Sequence, residues 1–329
     1  MLDEFAASGI TASTIDGAAL ERLAALLRVS NYRFHTVTPA THRRVLAREQ
    51  ARGQRQASDM ADAFGWNLPF QTSLLGAAHC AELAAAGVIA PHGDGWKATL
   101  RAASLGDLIV FHSAYPTEQE DAVFFGPDTY RFVGAIERAL PAMALAPPRR
   151  VIEIGCGAGA AAIVLAAALP AAQVSAVDIN QRALALTAHN ARIACVAVRT
   201  LWSDLLDGVD GQFDLIVANP PYMLDSAGRA YRHGGGGHGE GLALAIVRAA
   251  LARLAPGGTL LLYTGAAFVR QHDQFYDAAA PLLRAAGCRW HYEELDPDVF
   301  GEELEQPGYA DVERIAAVWL RVTVPAADA

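Results

Sequence analysis

Val151-Ile152-Glu153-Ile154 is a short apolar run that ends on Gly155-Cys156-Gly157-Ala158-Gly159 and leads into an alanine-rich stretch. No other feature of the chain limits its fold as strongly. A buried strand has to turn tightly at the glycines, which reach backbone angles closed to other residues, and a helix has to open at Ala158. From about Pro148 onward this strand–helix alternation repeats. Strands are predicted at 150–154, 173–179, 195–201, 213–219, 258–264, 289–295 and 315–323. Helices are predicted at 158–169, 181–192, 241–254 and 268–286. Such alternation requires a mostly parallel sheet covered on both faces. The last two strands have no helix between them, so they form a hairpin and one strand runs antiparallel. A seven-stranded, mostly parallel α/β sheet is therefore expected over residues 121–329.

Residues 1–120 carry a different pattern. Apolar residues recur at helical spacing in Ala18–Val29 and Leu74–Leu83, and the second run stops near Gly87. GDGWKATLRA and DLIVFHSA read as two strands, with His92–Gly95 as a turn. Helices followed by a small β-ribbon are similar to a winged-helix arrangement, so a mainly helical N-terminal substrate-recognition domain is expected. The 329 residues suffice for both domains. With 53% hydrophobic and 19% charged residues, global disorder is excluded.

The net charge of -9 excludes attraction to nucleic acid through the whole surface. Locally the balance reverses. Arg28, Arg33, Arg43, Arg44, Arg48, Arg52 and Arg55 face one acid, Glu49, within 28 residues. An RNA or phosphate contact fits this run, and a solvated helix face is the simpler account. The four cysteines (Cys80, Cys156, Cys195, Cys288) are scattered without a C-x-x-C pair, so neither a metal site nor a disulfide framework is expected. A reducing, cytoplasmic setting follows. The start MLDEFAASG lacks the apolar run of a signal peptide, and Ala158–Val174, the most apolar stretch, is broken by Pro170. It is too short to span a membrane, and no membrane partner is expected.

The chemistry gathers at the carboxyl ends of the predicted strands, where open α/β sheets bind ligands. The glycine loop lets the backbone approach a ligand closely. By itself it fits a methyl-donor cofactor, a nicotinamide or flavin, or a structural turn; with Ala160 it even satisfies G-x-G-x-x-A. Asp178 ends the strand QVSAVDI, 19 positions after Gly159, where an acid accepts hydrogen bonds from ribose hydroxyls. A cap for the following helix is the alternative role. FDLIVANPPY closes the fourth strand with Asn219-Pro220-Pro221-Tyr222. Two prolines fix an extended turn and leave carbonyls free to accept. A planar amide or exocyclic amine carries two N–H donors and a delocalised lone pair. The Asn219 side-chain oxygen and the Pro220 carbonyl are placed to accept both hydrogens, and Tyr222 to stack on the plane. Positioning and hydrogen bonding to developing positive charge then supply catalysis without an ionised base.

VIEIGCGAG, AVDIN and FDLIVANPPY, in this order and spacing, resemble the class I S-adenosylmethionine-dependent methyltransferases of the N-methylating group. FFGPDTYRF (Phe124–Phe132) and GLALAIVRAALARLAPGGTLLLYTG resemble the release-factor glutamine N5-methyltransferases, and the rRNA N-methyltransferases share the four-residue motif. The similarity runs from Phe124 to Gly265. It implies a Rossmann-like fold, S-adenosyl-L-methionine as cofactor, and a translation-factor protein or an rRNA base as acceptor. Asn219, Pro220, Pro221 and Tyr222 would be the catalytic set. Glu153, Gly155, Cys156, Gly157 and Gly159 would hold the cofactor, together with Asp178, Ile179 and Asn219. Thr129 would line it as well, and Ser203, Asp204 and Leu205 would border its adenine.

Three departures stand beside the resemblance. Tyr130 follows Pro127-Asp128-Thr129 where those relatives carry an acid, the N-terminal region is longer and partly β, and Arg229–Gly241 inserts RAYRHGGGGHGEG. Its Gly234–Gly237 run, between His233 and His238, reads as a mobile flap or a disordered linker, without a metal-ligand set. The acidic loop Glu294–Glu313 is long enough to serve as a lid. Two other functions fit less well: a small-molecule methyltransferase, and a cofactor-binding regulator whose N-terminal domain binds nucleic acid.

Overall fold

The computed structural model describes residues 16–51, 53, 56–143, 146–225 and 232–326. MLDEFAASG, Arg52, Arg55 and Arg229 lie outside these residues. The chain divides into two compact units, Met1–Glu118 and Gln119–Ala329.

The first unit opens with helices α1 (Gly17–Val29), α2 (Pro39–Ala51), α3 (Met60–Phe64) and α4 (Ala77–Ala85). Asp16 caps α1 by accepting from the Ala18 N–H. Leu20, Leu23 and Leu27 follow the helical repeat and are fully buried, each contributing about 1.5–3 kcal/mol. Among the described side chains of α2 only His42 is buried, while Arg43, Arg44 and Arg48 are exposed. Strands β1 (Ile89–His92) and β2 (Gly95–Ala98) pair as one hairpin, and β3 (Leu100–Leu105) and β4 (Leu108–Ser113) as another. The single ribbon expected from the sequence is thus two hairpins. The break falls at Thr99, whose hydroxyl bonds the Gly87 and Val88 carbonyls and turns the chain out of the β1 pairing.

The second unit begins with α5 (Pro127–Ala139), an element the hydrophobic pattern left unassigned. It continues through β5 (Arg150–Ile154), α6 (Ala160–Ala168), β6 (Gln173–Asp178), α7 (Gln181–Ile193), β7 (Arg199–Trp202) and β8 (Phe213–Ala218). Then come α8 (Gly241–Arg253), β9 (Leu254–Val269), β10 (His272–Asp273), α9 (Gln274–Ala285), β11 (Arg289–Asp296) and β12 (Arg314–Thr323). The strand order is β11-β12-β9-β8-β5-β6-β7, with β10 paired only to β9. Neighbours from β7 to β9 are parallel, and β12 is antiparallel to both β9 and β11. This is the Rossmann-like sheet, with an eighth, two-residue strand added at its side.

Alternation along the strands fills two cores. Val151, Leu215, Val217 and Leu261 face one side with Phe132 and Ile136 of α5 and Leu165 of α6. Ile152, Ile216, Leu260 and Leu262 face the other with Ile246 of α8 and Phe275 of α9. Two boundaries moved from their expected places. Cys195 sits at φ 57, just past α7, so the third strand starts only at Arg199. Arg270 and Gln271 both have positive φ (50° and 65°), the requirement of a tight hairpin turn, so β9 runs on to Val269 and α9 starts late.

Candidate active site

Strand order reverses between β5 and β8, because β6 and β7 lie on one side of β5 and β8 on the other. Crevices at such a reversal, beyond the carboxyl ends, are where these sheets bind ligands. The register shows which residues meet there. Ile154 pairs with Val177 and with Ala218, so Gly155 leaves the sheet between Asp178 and Asn219. Asp178 pairs with Trp202, and Ala218 with Leu262.

The glycine loop is held from beneath. The Gly155 and Cys156 N–H groups both donate to the Val177 carbonyl, and the Thr187 hydroxyl and Asn190 amide of α7 donate to the Gly157 and Ala158 carbonyls. Gly155 stands at φ 68 with nothing within 4 Å of a would-be Cβ, an open cradle that a side chain would fill. Gly159 serves packing instead, since a Cβ there would lie 2.7 Å from Thr187. The Cys156 thiol is buried, pushed up by burial, and accepts from Thr187, so only its backbone faces the loop. Glu153 is 4% exposed and accepts from the Ala162 N–H at 2.8 Å. Burial pushes its carboxyl up to about 8. It supports the first turn of α6 under the loop.

Asp178 accepts from the Gly157 N–H at 3.0 Å and the Asn180 N–H at 2.9 Å. Burial raises it, and these donors oppose that shift. The helix-cap role falls to Asn180, which accepts from the Arg182 N–H. Beside Asp178, Ile179 is 50% exposed and Trp202 55% exposed, with the Trp202 indole donating to the Ile179 carbonyl at 2.9 Å. Two large apolar groups held open at strand ends form a platform. Trp202 escaped the sequence reading, which began this border one residue later. Ser203 is buried, its hydroxyl taken up by the Gly208 N–H. Asp204 is exposed, and Leu205 sits in the left-handed region.

Asn219 is half-buried and, among the described residues, its side chain has no hydrogen-bond partner. Pro220 and Pro221 follow without pairing in the sheet. Tyr222 differs from expectation. It was expected to stack on a planar acceptor, but it is 6% exposed and its hydroxyl donates to Asp128 at 2.9 Å. Asp128 also accepts from Tyr263 at 2.7 Å and pairs with Arg131 at 3.3 Å. Its neighbour Thr129 closes the first turn of α5, accepting from the Gly126 N–H.

The glycine run is neither flap nor loose linker in its described part. Gly234 and Leu242 N–H groups donate to the Met223 and Gly234 carbonyls, and Glu240 accepts from the Gly237 and His238 N–H groups. A Cβ on Gly234 would lie 2.1 Å from the Gly239 carbonyl and 2.7 Å from the Tyr222 Cα, so this position is glycine because it packs on the chain at Tyr222. His233 accepts from the Asp225 N–H, and His238 meets Asp311 at 3.2 Å. No group of metal-binding side chains occurs among the described residues. The acidic loop lies against the same strand: Glu303 pairs with Arg232, and the Tyr309 hydroxyl accepts from the Leu224 N–H at 2.7 Å.

Residues 137–274 match the family described as the methyltransferase small domain. This match lies wholly within the second unit. A release factor glutamine methyltransferase from Deinococcus radiodurans is 38% identical to this chain over 165 residues, covering 47% of this chain and 55% of that protein. One from Bordetella pertussis is 36% identical over 179 residues, covering 51% and 63%. A 4-amino-L-phenylalanine/4-methylamino-L-phenylalanine methyltransferase from Streptomyces pristinaespiralis is 32% identical over 160 residues, covering 45% and 51%. The matched stretch spans between half and two thirds of each relative's length. In the second unit, Thr187, Asn190 and Asp128 are the supporting residues that sequence reasoning missed. No helix among the described residues is long and apolar enough to cross a membrane.

Proposed function

We propose that the chain is an S-adenosylmethionine-dependent N-methyltransferase whose acceptor is a planar nitrogen, the side-chain amide of a protein glutamine. The observation that carries this reading is Asn219: a half-buried amide without a partner, leaving the sheet beside an open glycine loop. The site fits the cofactor. Gly155 leaves room for the backbone to approach it, and Ile179 with Trp202 offers apolar faces to an adenine. Asp178 has lone pairs left for ribose hydroxyls after its two backbone bonds. When bound, S-adenosylmethionine supplies an electrophilic methyl group.

The protein's own residues do the rest. Asn219 Oδ1 and the Pro220 carbonyl accept the two N–H hydrogens of the acceptor and turn its lone pair toward the cofactor pocket. As positive charge builds on that nitrogen, both acceptor bonds strengthen, which lowers the barrier without a fully ionised base. Pro220 and Pro221 hold the carbonyl in place because their φ is restricted and neither has an N–H. A protein amide is favoured over a polyanion by the loop at Tyr222. Phe300, whose ring lies 6.0 Å from Tyr222, is followed by the exposed Glu302 and Glu305, which repel phosphate.

Methyl-labelled S-adenosylmethionine, incubated with the enzyme and either purified unmethylated release factor or total RNA, tests the proposal. Label is expected on a glutamine of the protein. Label confined to RNA would remove the glutamine assignment, and label on neither, with NAD bound in place of S-adenosylmethionine, would remove the whole reading.

A further inference from the structure

Asp128 is 7% exposed, yet both of its oxygens are engaged. Oδ2 accepts from the Tyr222 hydroxyl at 2.9 Å, and Oδ1 accepts from the Tyr263 hydroxyl at 2.7 Å and from Arg131 at 3.3 Å. Arg131 reaches onward to Asp296 at 2.9 Å, the last residue of β11, four positions before Phe300. One carboxylate therefore joins the start of α5, the end of the acceptor motif and β9, and through Arg131 the root of the acidic loop. Pro127 at the first turn and the N-terminal end of the α5 dipole favour an anion at this position.

The Tyr222 ring is bounded on its other sides as well. A Cβ on Gly265 would lie 2.0 Å from its Cδ2, so the ring lies against bare backbone. Phe300 meets it edge-on, at 67° between planes. Packing against Gly265 and Phe300 leaves the tip of the ring to be fixed, and that is the atom Asp128 holds. A buried charged network of this kind adds little net stability over apolar packing of the same volume; what it supplies is direction.

We propose that Asp128 is a positioning residue of the acceptor site, fixing the direction of the Tyr222 ring through its hydroxyl so that an acceptor nitrogen meets Asn219 in one orientation. This rests on the N-methyltransferase reading above. Asp128 touches neither substrate nor cofactor in this role, and it acts only through Tyr222.

The test compares Asp128→Asn, Tyr222→Phe and their double variant with Tyr292→Phe, which removes a similar phenol–carboxylate bond, to Asp273, away from the motif. Asp128→Asn and Tyr222→Phe are each expected to lower kcat on unmethylated release factor by about 10- to 100-fold, with S-adenosylmethionine affinity unchanged by calorimetry. The double variant should be no worse than either single, because one bond is lost in all three. Tyr292→Phe should lose melting temperature and keep turnover. In parallel, 3-fluorotyrosine placed at 222 should give one sharp fluorine resonance in the parent and an exchange-broadened one in Asp128→Asn. Multiplying losses in the double variant, turnover that falls only with melting temperature, or an unbroadened resonance would each overturn the proposal. A parent protein that methylates nothing would sink the methyltransferase reading, while the fluorine spectrum still decides whether Asp128 holds the ring.

Discussion

Asn219 and Asp178 stand at the ends of strands that both neighbour β5, and they are expected to fail in opposite ways when altered. Asn219 has no hydrogen-bond partner to lose among the described residues, so Asn219→Ala is expected to leave folding and S-adenosylmethionine affinity near normal. Its bond to the acceptor grows at the transition state, and removing such a preorganised partner costs about 2.7–4 kcal/mol, or roughly 10²–10³ in kcat. Near-normal turnover in Asn219→Ala, measured by label transfer, would rule out the planar-nitrogen mechanism. Asp178→Ala acts on the ground state instead. It removes acceptors for ribose and for the Gly157 N–H, weakening calorimetric S-adenosylmethionine binding by about 1.5–3 kcal/mol. Unchanged affinity in that variant would take the ribose away from Asp178. Both residues were legible in the sequence because each ends an apolar strand that local pattern locates. The burial of Tyr222 was not legible, since Asp128, the partner of its hydroxyl, lies 94 positions away.

Among the elements, α2 stands out for its exposed arginines. Arg43, Arg44 and Arg48 are exposed on a helix that buries only His42 among its described side chains. Replacing all three with Gln should leave S-adenosylmethionine affinity untouched, because they belong to a different compact unit. Any RNA binding by the parent should weaken and lose about three in its log–log salt slope. An RNA affinity that survives the triple change, read by fluorescence anisotropy across salt concentrations, would make α2 a plain solvated face. Element boundaries were legible where glycine, proline or caps mark them, as at Asn180 and Gly159. They were missed where ordinary residues turn left-handed. Arg270 and Gln271 form a turn that glycine or asparagine normally signals; the pairing of β10 on β9 holds them there, together with Gln271, whose N–H and side-chain amide donate to Glu313.

Across the whole molecule the two units should respond to pH in opposite senses. In the first unit, burial and then the Arg101 charge push His42 down to about 4, and burial chiefly depresses His112 too. An unfolded histidine titrates near 6.5, so the unfolded chain binds more protons and this unit loses stability as pH falls from about 6.5 to 4. In the second unit, burial pushes Glu153 up to about 8 from 4.5, so the folded state holds the extra proton in that window. Its stabilising effect is complete below about 4.5 and is lost as pH rises through about 8. Asp128 and Asp178 are raised in the same direction, both chiefly by burial. Hydrogen exchange at pH 7 and pH 5 should therefore show protection falling in residues 16–118 and rising in 119–326. Glu153→Gln should flatten the rise. Protection that moves in parallel in the two units would contradict this assignment.

Local pattern located the alternating sheet, the glycine loop and the strand ends at which Asp178 and Asn219 stand. Each of these is a local statement, in which a two-residue or helical period, a permissive φ or a restricted one is written in adjacent residues. The tertiary structure alone decided how those parts are supported. Thr187 and Asn190 reach back to the loop from 30 and 32 positions on, and Arg131 meets Asp296 across 165. The glycine run made the contrast plain, because glycine's freedom suits both a mobile flap and a tight turn. The Tyr222 Cα, 2.7 Å from where a Gly234 side chain would begin, holds its first residue in a tight turn. Contacts of that kind follow from burial and close packing between distant segments, which no spacing along the chain encodes.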